Sequence, residues 1–254
     1  NIGLAAVEFR KGNLDRAKRL LTQIFVLEKG RARPRDRSAG FLLRARLASK
    51  MNNEKESLMD LDSAVRSWPG NLEALDLLGS KYFKTGSFEK ALEVFQTLSR
   101  SGYRSPQLSI KIAECYSRMN RPDRAIEQLR DALAKFPEAA EIHGALGDIY
   151  VGARDFTLAR EAYEAAIEVD AGHENARLKI AEMLIQESKV DAALDYLNES
   201  IAANPKGARL YLGLANLKRR MGETSDQSTL LLEAKETYLK ALAAYENSIP
   251  FYVA

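Results

Sequence analysis

The sequence predicts an all-α protein built as a solenoid of stacked helical hairpins. Apolar residues recur at positions i, i+3, i+4 and i+7 along almost the whole chain, which is the spacing of amphipathic helices. The same kinds of residue also return every 34 residues, and a fixed period of this length is typical of repeat architectures. A single hairpin cannot bury its own apolar face, so hairpins of this kind must stack against one another.

The 34-residue period is clearest at two positions that hold only small residues. The first, in the first helix of each predicted hairpin, is filled by Gly79, Ala113, Gly147, Ala181 and Ala215. The second, in the second helix, is filled by Ala91, Ala125, Ala159 and Ala193. Small residues at both positions let two helices approach closely. Proline, which stops helix propagation, follows predicted second helices at Pro69, Pro137 and Pro205.

The pattern resembles the tetratricopeptide repeat, whose motif is W-x2-L-G-x2-Y, then A-x3-F, then P. One repeat matches it with Leu78, Gly79, Tyr82, Ala91 and Phe95. The tryptophan position departs from the motif, because the repeats hold other residues there. The resemblance implies a right-handed superhelical solenoid of about seven helix-turn-helix repeats, forming a single domain over residues 1–254. The expected repeats lie near 1–28, 38–71, 72–105, 106–139, 140–173, 174–207 and 208–248.

Two segments interrupt the period. A basic loop insertion at 28–37 reads EKGRARPRDR. It is predicted either as a solvated, mobile loop or as a contact for an acidic partner. In the last hairpin the second-helix residues Ala234, Tyr238 and Ala241 come seven residues late. Either the turn Gly222–Ser228 is extended, or the second helix gains extra turns.

The sequence carries no motif for catalysis, cofactor binding or a metal site. It has no phosphate-binding loop, no nucleophile elbow and no HExxH pair. Its single cysteine, Cys115, provides neither an intrachain disulfide nor a set of metal ligands. We therefore predict a protein that is not an enzyme and that has no cofactor and no metal. No run of eighteen apolar residues predicts a membrane span.

The resemblance implies a concave groove lined by the first helices. Acidic residues recur there at one position in three successive repeats, Glu114, Asp148 and Glu182. Apolar residues at exposed positions favour a binding surface, while a merely solvated helix face is the alternative. The predicted partner-binding groove comprises Arg46, Glu73, Asp76, Ile110, Glu114, Asp148, Val151, Leu178, Glu182, Ile185 and Asn216.

These features predict a protein-interaction scaffold that binds a protein or peptide segment bearing basic and apolar residues, as part of a larger assembly. Family members that bind chaperones hold a C-terminal carboxylate with Lys and Asn on successive first helices. The corresponding positions here include Leu42/Arg46 and Ile110/Glu114, so this carboxylate clamp is missing. The chain starts at Asn1, without Met or a signal peptide. It resembles a fragment of a longer bacterial tetratricopeptide protein, and by analogy it is expected in envelope assembly or polysaccharide export. Neither compartment nor oligomeric state is predicted.

Two other functions are weighed against the scaffold. The first is a regulatory or substrate-recruiting segment of a larger enzyme. The second is a nucleic-acid-binding helical repeat, which needs a continuous basic face. Residues 138–205 carry five Lys and Arg against fourteen Asp and Glu, so nucleic acid is not an expected partner.

Overall fold

The computed structural model describes residues 2–28, 32–225 and 228–248, and this part of the chain contains fourteen α-helices and no strand. The predicted all-α class is confirmed. In chain order the helices are α1 (Ile2–Arg10), α2 (Leu14–Glu28), α3 (Pro34–Lys50), α4 (Glu54–Ser67), α5 (Leu72–Lys84), α6 (Phe88–Arg100), α7 (Pro106–Arg118), α8 (Pro122–Leu133), α9 (Ala140–Gly152), α10 (Phe156–Val169), α11 (Glu174–Gln186), α12 (Val190–Ala203), α13 (Ala208–Ser225) and α14 (Ser228–Ser248).

The helices form two compact units, one ending at Arg121 and one beginning at Pro122. In the N-terminal unit α1 packs on α2, α3 on α4 and α5 on α6. The helices α2, α4 and α6 also each contact the first helix of the following hairpin. In the C-terminal unit α9–α10, α11–α12 and α13–α14 pair in the same way, and α8, α10 and α12 contact the next first helix. The single domain 1–254 and its repeat boundaries stay a prediction.

A residue with a left-handed backbone conformation lies between the two helices of a hairpin, and such residues recur every 34 positions. These residues have φ between 57° and 76° and are Asn52, Gly86, Asn120, Arg154 and Ser188. The residue after each one donates its N–H to a carbonyl five positions earlier, at 2.8–2.9 Å. This bond closes the helix C-terminus and satisfies a carbonyl that has no partner within the helix. The first helix therefore ends in the same way in each of these repeats.

The predicted basic loop insertion at 28–37 is wrong in its second half. Helix α3 begins at Pro34, because proline lacks an N–H and already has the φ of a first helical residue. Arg33, just before it, donates to Asp36 at 2.7 Å. The Arg35 guanidinium lies 5.1 Å from the centre of the Trp68 ring. Residues 29–31 lie outside the described residues.

The delay in the last hairpin comes from longer helices. α13 has 18 residues and α14 has 21, against 13 in α11 and 14 in α12. The expected gain of turns in the second helix is confirmed, and the first helix is longer as well. The alternative of an extended turn at Gly222–Ser228 is wrong. Gly222 lies inside α13, where an added Cβ would lie 2.9 Å from Leu231 Cδ2, so it is a packing position.

Two glycines allow an aromatic ring of the second helix to touch the backbone of the first. A Cβ added at Gly79 would lie 2.5 Å from Phe95 Cε1, and one added at Gly147 would lie 2.6 Å from Tyr163 Cδ1. Both rings are 1% exposed. In these two hairpins, the small residue and the aromatic residue of the motif are therefore in direct contact.

Gly147→Ala should lower the free energy of unfolding by about 1–3 kcal/mol, because the new methyl group overpacks the contact with Tyr163. The control is Gly152→Ala on the same helix, where nothing lies within 4 Å of an added Cβ. That change should be neutral or stabilise by up to about 1 kcal/mol. Urea denaturation measures both. Equal effects of the two substitutions would contradict the assigned contact.

Gly86→Ala should cost about 1–2 kcal/mol for a different reason. Its φ is 76° with open space around it, so the penalty comes from the left-handed backbone alone. Gly86→Asn should retain most of the stability, because Asn tolerates this conformation and occupies the equivalent positions 52 and 120. Thermal melting compares the two variants. A Gly86→Ala protein that melts with the wild type would show that this turn carries no strain.

Candidate functional site

All eleven predicted groove residues lie on first helices. The N-terminal unit holds Arg46 on α3, Glu73 and Asp76 on α5, and Ile110 and Glu114 on α7. The C-terminal unit holds the other six, which are Asp148, Val151, Leu178, Glu182, Ile185 and Asn216. Their use by a partner stays a prediction.

In the N-terminal unit two groove acids, Glu73 and Asp76, contact basic side chains of neighbouring first helices. Arg46 on α3 forms an ion pair with Glu73 on α5. Lys111 Nζ on α7 lies 2.7 Å from Asp76 Oδ1 and also donates to Ser80 at 3.3 Å. These pairs link α3 to α5 and α5 to α7. They are half-exposed, so each contributes at most about 1 kcal/mol.

In the C-terminal unit the groove carboxylates and the groove asparagine also have partners within the chain. The Tyr163 hydroxyl donates to Asp148 at 2.7 Å, and the Tyr238 hydroxyl donates to Asn216 at 2.6 Å. Lys179 Nζ donates to Glu182 at 2.8 Å. Burial, together with the Asp148 carboxylate, raises the pKa of Tyr163 well above its usual range, so the phenol stays protonated. Asp148 therefore connects α9 to α10, a contact that the repeat pattern does not reveal.

The apolar groove residues of this unit are half-buried. Leu178 and Ile185 on α11 pack against a core that includes Leu197 and Leu214. Val151 is likewise half-buried near the end of α9. Each residue thus contributes part of its surface to the core and leaves part of it facing solvent, which suits a shallow binding surface.

A pocket of about 390 Å³ lies within the N-terminal unit. Its apolar walls come from α1, α3, α4 and α5, and a serine, Ser57, also lines it. Basic side chains stand at its rim. Only one predicted groove residue, Arg46, contributes to it. The lining comprises Phe9, Ala45, Arg46, Ser49, Lys50, Ser57, Leu61, Leu77 and Lys81.

The sequence prediction missed this pocket because it considered first helices alone, whereas Ser57 and Leu61 belong to the second helix α4. The available signal was Ser57 itself. It stands 34 residues before Ala91, at the small position that later repeats fill with alanine.

The histidines and the cysteine have structural environments. His173 caps α11, since its Nδ1 accepts the N–H of Ala176 at 3.1 Å. Burial lowers the pKa of His143. Cys115 is 0% exposed, and burial raises the pKa of its thiol to about 12. Within residues 2–28, 32–225 and 228–248, no three His, Cys, Asp or Glu side chains are grouped to hold a metal ion.

Comparison with known proteins identifies the repeat. A sequence model described as tetratricopeptide repeat matches residues 110–173 and 145–208. Tetratricopeptide repeats are therefore present over residues 110–208. It is 24% identical over 152 residues to tetratricopeptide repeat protein 8 of Caenorhabditis elegans, a match that covers 56% of this chain. The chain spans only 30% of that relative's length.

Solved structures share the fold. Yeast Tom70 superimposes with a TM-score of 0.61 at 21% identity, covering 83% of this chain and 46% of Tom70. A tetratricopeptide repeat protein from Parabacteroides merdae gives a TM-score of 0.57 at 17% identity, covering 84% of this chain and 92% of that one. At such identities the likeness concerns the fold alone. The predicted tetratricopeptide solenoid is thereby confirmed.

None of these three similar proteins is named as an enzyme. Of the helices in the described part of the chain, none combines the length and apolar character of a membrane span.

The Cys115 thiol should not react with a thiol-specific reagent in the folded protein at pH 8. Its folded pKa lies above the unfolded value of about 8.5, so the fold favours the neutral thiol. The preference of the fold for the neutral thiol stabilises the folded protein fully below the unfolded pKa, and this contribution is lost as pH rises through about 12. Absorbance at the reagent's product band measures the reaction. Urea-unfolded protein is the control and should react fully, whereas rapid labelling without urea would contradict the burial of Cys115.

Proposed function

We propose that this chain is a protein-interaction scaffold that binds an extended or helical segment of a partner along its first helices. The tetratricopeptide fold commonly serves as a scaffold for protein or peptide binding. The scaffold acts within a larger assembly, and the predicted groove residues hold the partner segment. It assigns this chain binding rather than catalysis.

The observation that carries the proposal is the mixed character of the first helices in the C-terminal unit. Half-buried Leu178 and Ile185 flank Glu182 on α11. Val151 stands one turn from Asp148 on α9. Apolar burial supplies affinity and charge supplies specificity and association rate, and both are available on these two helices.

The charge of this region defines the partner's chemistry. Residues 138–205 carry nine more acidic than basic side chains. The hydrogen bonds from Lys179 to Glu182 and from Tyr163 to Asp148 use part of the acceptor capacity, but Tyr163 brings no positive charge. A segment with Lys or Arg side chains beside an apolar anchor complements this surface, whereas nucleic acid is repelled by it.

The larger assembly is a further part of the proposal. By analogy with bacterial tetratricopeptide proteins, it belongs to the cell envelope or to polysaccharide export. The second candidate is a regulatory or substrate-recruiting segment of a larger enzyme. Either assignment uses the same partner-binding helices.

The double variant Asp148→Asn and Glu182→Gln should weaken binding of peptides that are selected from a random library on the wild-type chain. Removing two carboxylates reduces attraction for basic side chains, so affinity should fall about 3- to 10-fold at low salt and less at high salt. The fold should persist, since asparagine keeps an acceptor for Tyr163. Titration calorimetry at both salt concentrations measures the effect.

The matched control is Glu164→Gln and Glu199→Gln, which removes the same charge from exposed positions on the second helices α10 and α12. Its peptide affinity should equal that of the wild type. Equal losses in both double variants would mean that only net charge matters, and unchanged binding in both would remove the first helices from the proposed site.

A further inference from the structure

The pocket of the N-terminal unit changes in character from its base to its rim. Ala45 and Ser57 are each 1% exposed and Leu61 is 2% exposed, so they form the base. Phe9 on α1 and Leu77 on α5 are half-buried apolar walls. The exposed ends of Arg46 and Lys50 lie at the rim. A volume of about 390 Å³ is within the range of pockets that bind organic groups.

Ser57 is the unusual residue at the base of this pocket. No side-chain hydrogen bond of Ser57 is found among the described residues. None of their side-chain N or O atoms is both fully buried and without a partner, so the Ser57 hydroxyl is open to the pocket that it lines. Every other repeat position equivalent to it from residue 91 to residue 193 is a fully buried alanine. A hydroxyl at the base of an otherwise apolar pocket can pair with a ligand that has a hydrogen-bonding tip.

The rim of the pocket presents a cation that has no partner. Arg46 is paired with Glu73, and Lys81 is paired with Glu54. For Lys50 no ion pair or hydrogen bond is found among the described residues. The rim is therefore positive after its internal pairs are formed, the opposite of the acidic surface in the C-terminal unit.

We propose that this pocket binds a tyrosine side chain of a partner segment, with an Asp or Glu next to it in the partner's sequence. The ring lies between Phe9, Leu61 and Leu77, the phenol hydroxyl reaches Ser57, and the neighbouring carboxylate pairs with Lys50. This inference rests on the proposed function and adds a second, chemically distinct contact to it.

Tyrosine fits the pocket better than other side chains on physical grounds. Its body is apolar and its tip is a hydrogen-bond donor and acceptor, which matches apolar walls above a serine hydroxyl. Phenylalanine or leucine leaves Ser57 without a partner. Lysine, which also has a polar tip, is repelled by the positive rim.

The test is an NMR titration of the isotopically labelled chain with a short peptide in which Tyr stands between two Glu residues in a Gly/Ser background. Shift changes should cluster at Phe9, Ser57 and Leu77. A second peptide with Phe in place of Tyr should bind about 3- to 10-fold more weakly, because one hydrogen bond is lost. A third peptide, with Lys in place of both Glu residues, should not bind the pocket.

Two variants test the roles of the pocket residues. Ser57→Ala should fold as well as the wild type, since alanine fills this position in the later repeats. It should abolish the difference between the Tyr and Phe peptides. Lys50→Glu should weaken both peptides about 3- to 10-fold. The control Lys84→Glu, at the equivalent exposed position one repeat later and outside the pocket lining, should leave both affinities unchanged.

Three results would overturn the proposal: equal affinity for the Tyr and Phe peptides, equal effects of the two lysine substitutions, or shift changes elsewhere in the chain. If library-selected basic peptides bind the C-terminal unit while the Tyr peptide does not bind, the pocket proposal fails and the proposed function stands. If neither class of peptide binds, both fail.

Discussion

The close approach of two helices at a pair of small residues is the constraint on which the rest of the structure depends. Gly147 lets the ring of Tyr163 lie against the backbone of α9, and Gly79 does the same for Phe95. Because the ring of Tyr163 is fixed there, its hydroxyl reaches Asp148 on the outer side of α9. A residue chosen for packing thus also determines how a surface carboxylate is held.

The left-handed residue between the two helices of a hairpin is the second constraint, and the sequence reveals it only in part. Gly86 and Asn120 are conventional choices for this conformation, whereas Arg154 and Ser188 are not. The residues in this conformation recur with the period of 34, whereas residue preference alone would not locate the turns at Arg154 and Ser188. At Gly222 the reverse happens, because glycine serves there to admit Leu231 beside a longer helix. A glycine in register is therefore ambiguous until its neighbours are known.

The sequence predicted which helices carry the groove residues, since helical periodicity and a period of 34 determine which face each position occupies. It did not predict their partners. The Lys111–Asp76 pair joins residues 35 apart, and the Lys179–Glu182 pair joins residues three apart. Long lysine side chains can adopt many rotamers, and only the arrangement of neighbouring helices selects among them. Linear charge counts therefore describe the field of a unit better than they describe any one contact.

The pocket shows where a repeat protein can differ from its own pattern. Positions that keep the motif, such as Ala91 and Phe95, are buried because stacking requires them. Such positions report on stability and would look alike in any protein of this fold. Ser57 breaks the pattern at a site where alanine suffices for packing, so packing cannot explain its hydroxyl. Departures of this kind, which packing does not require, separate the chemistry of one chain from the architecture that it shares with others.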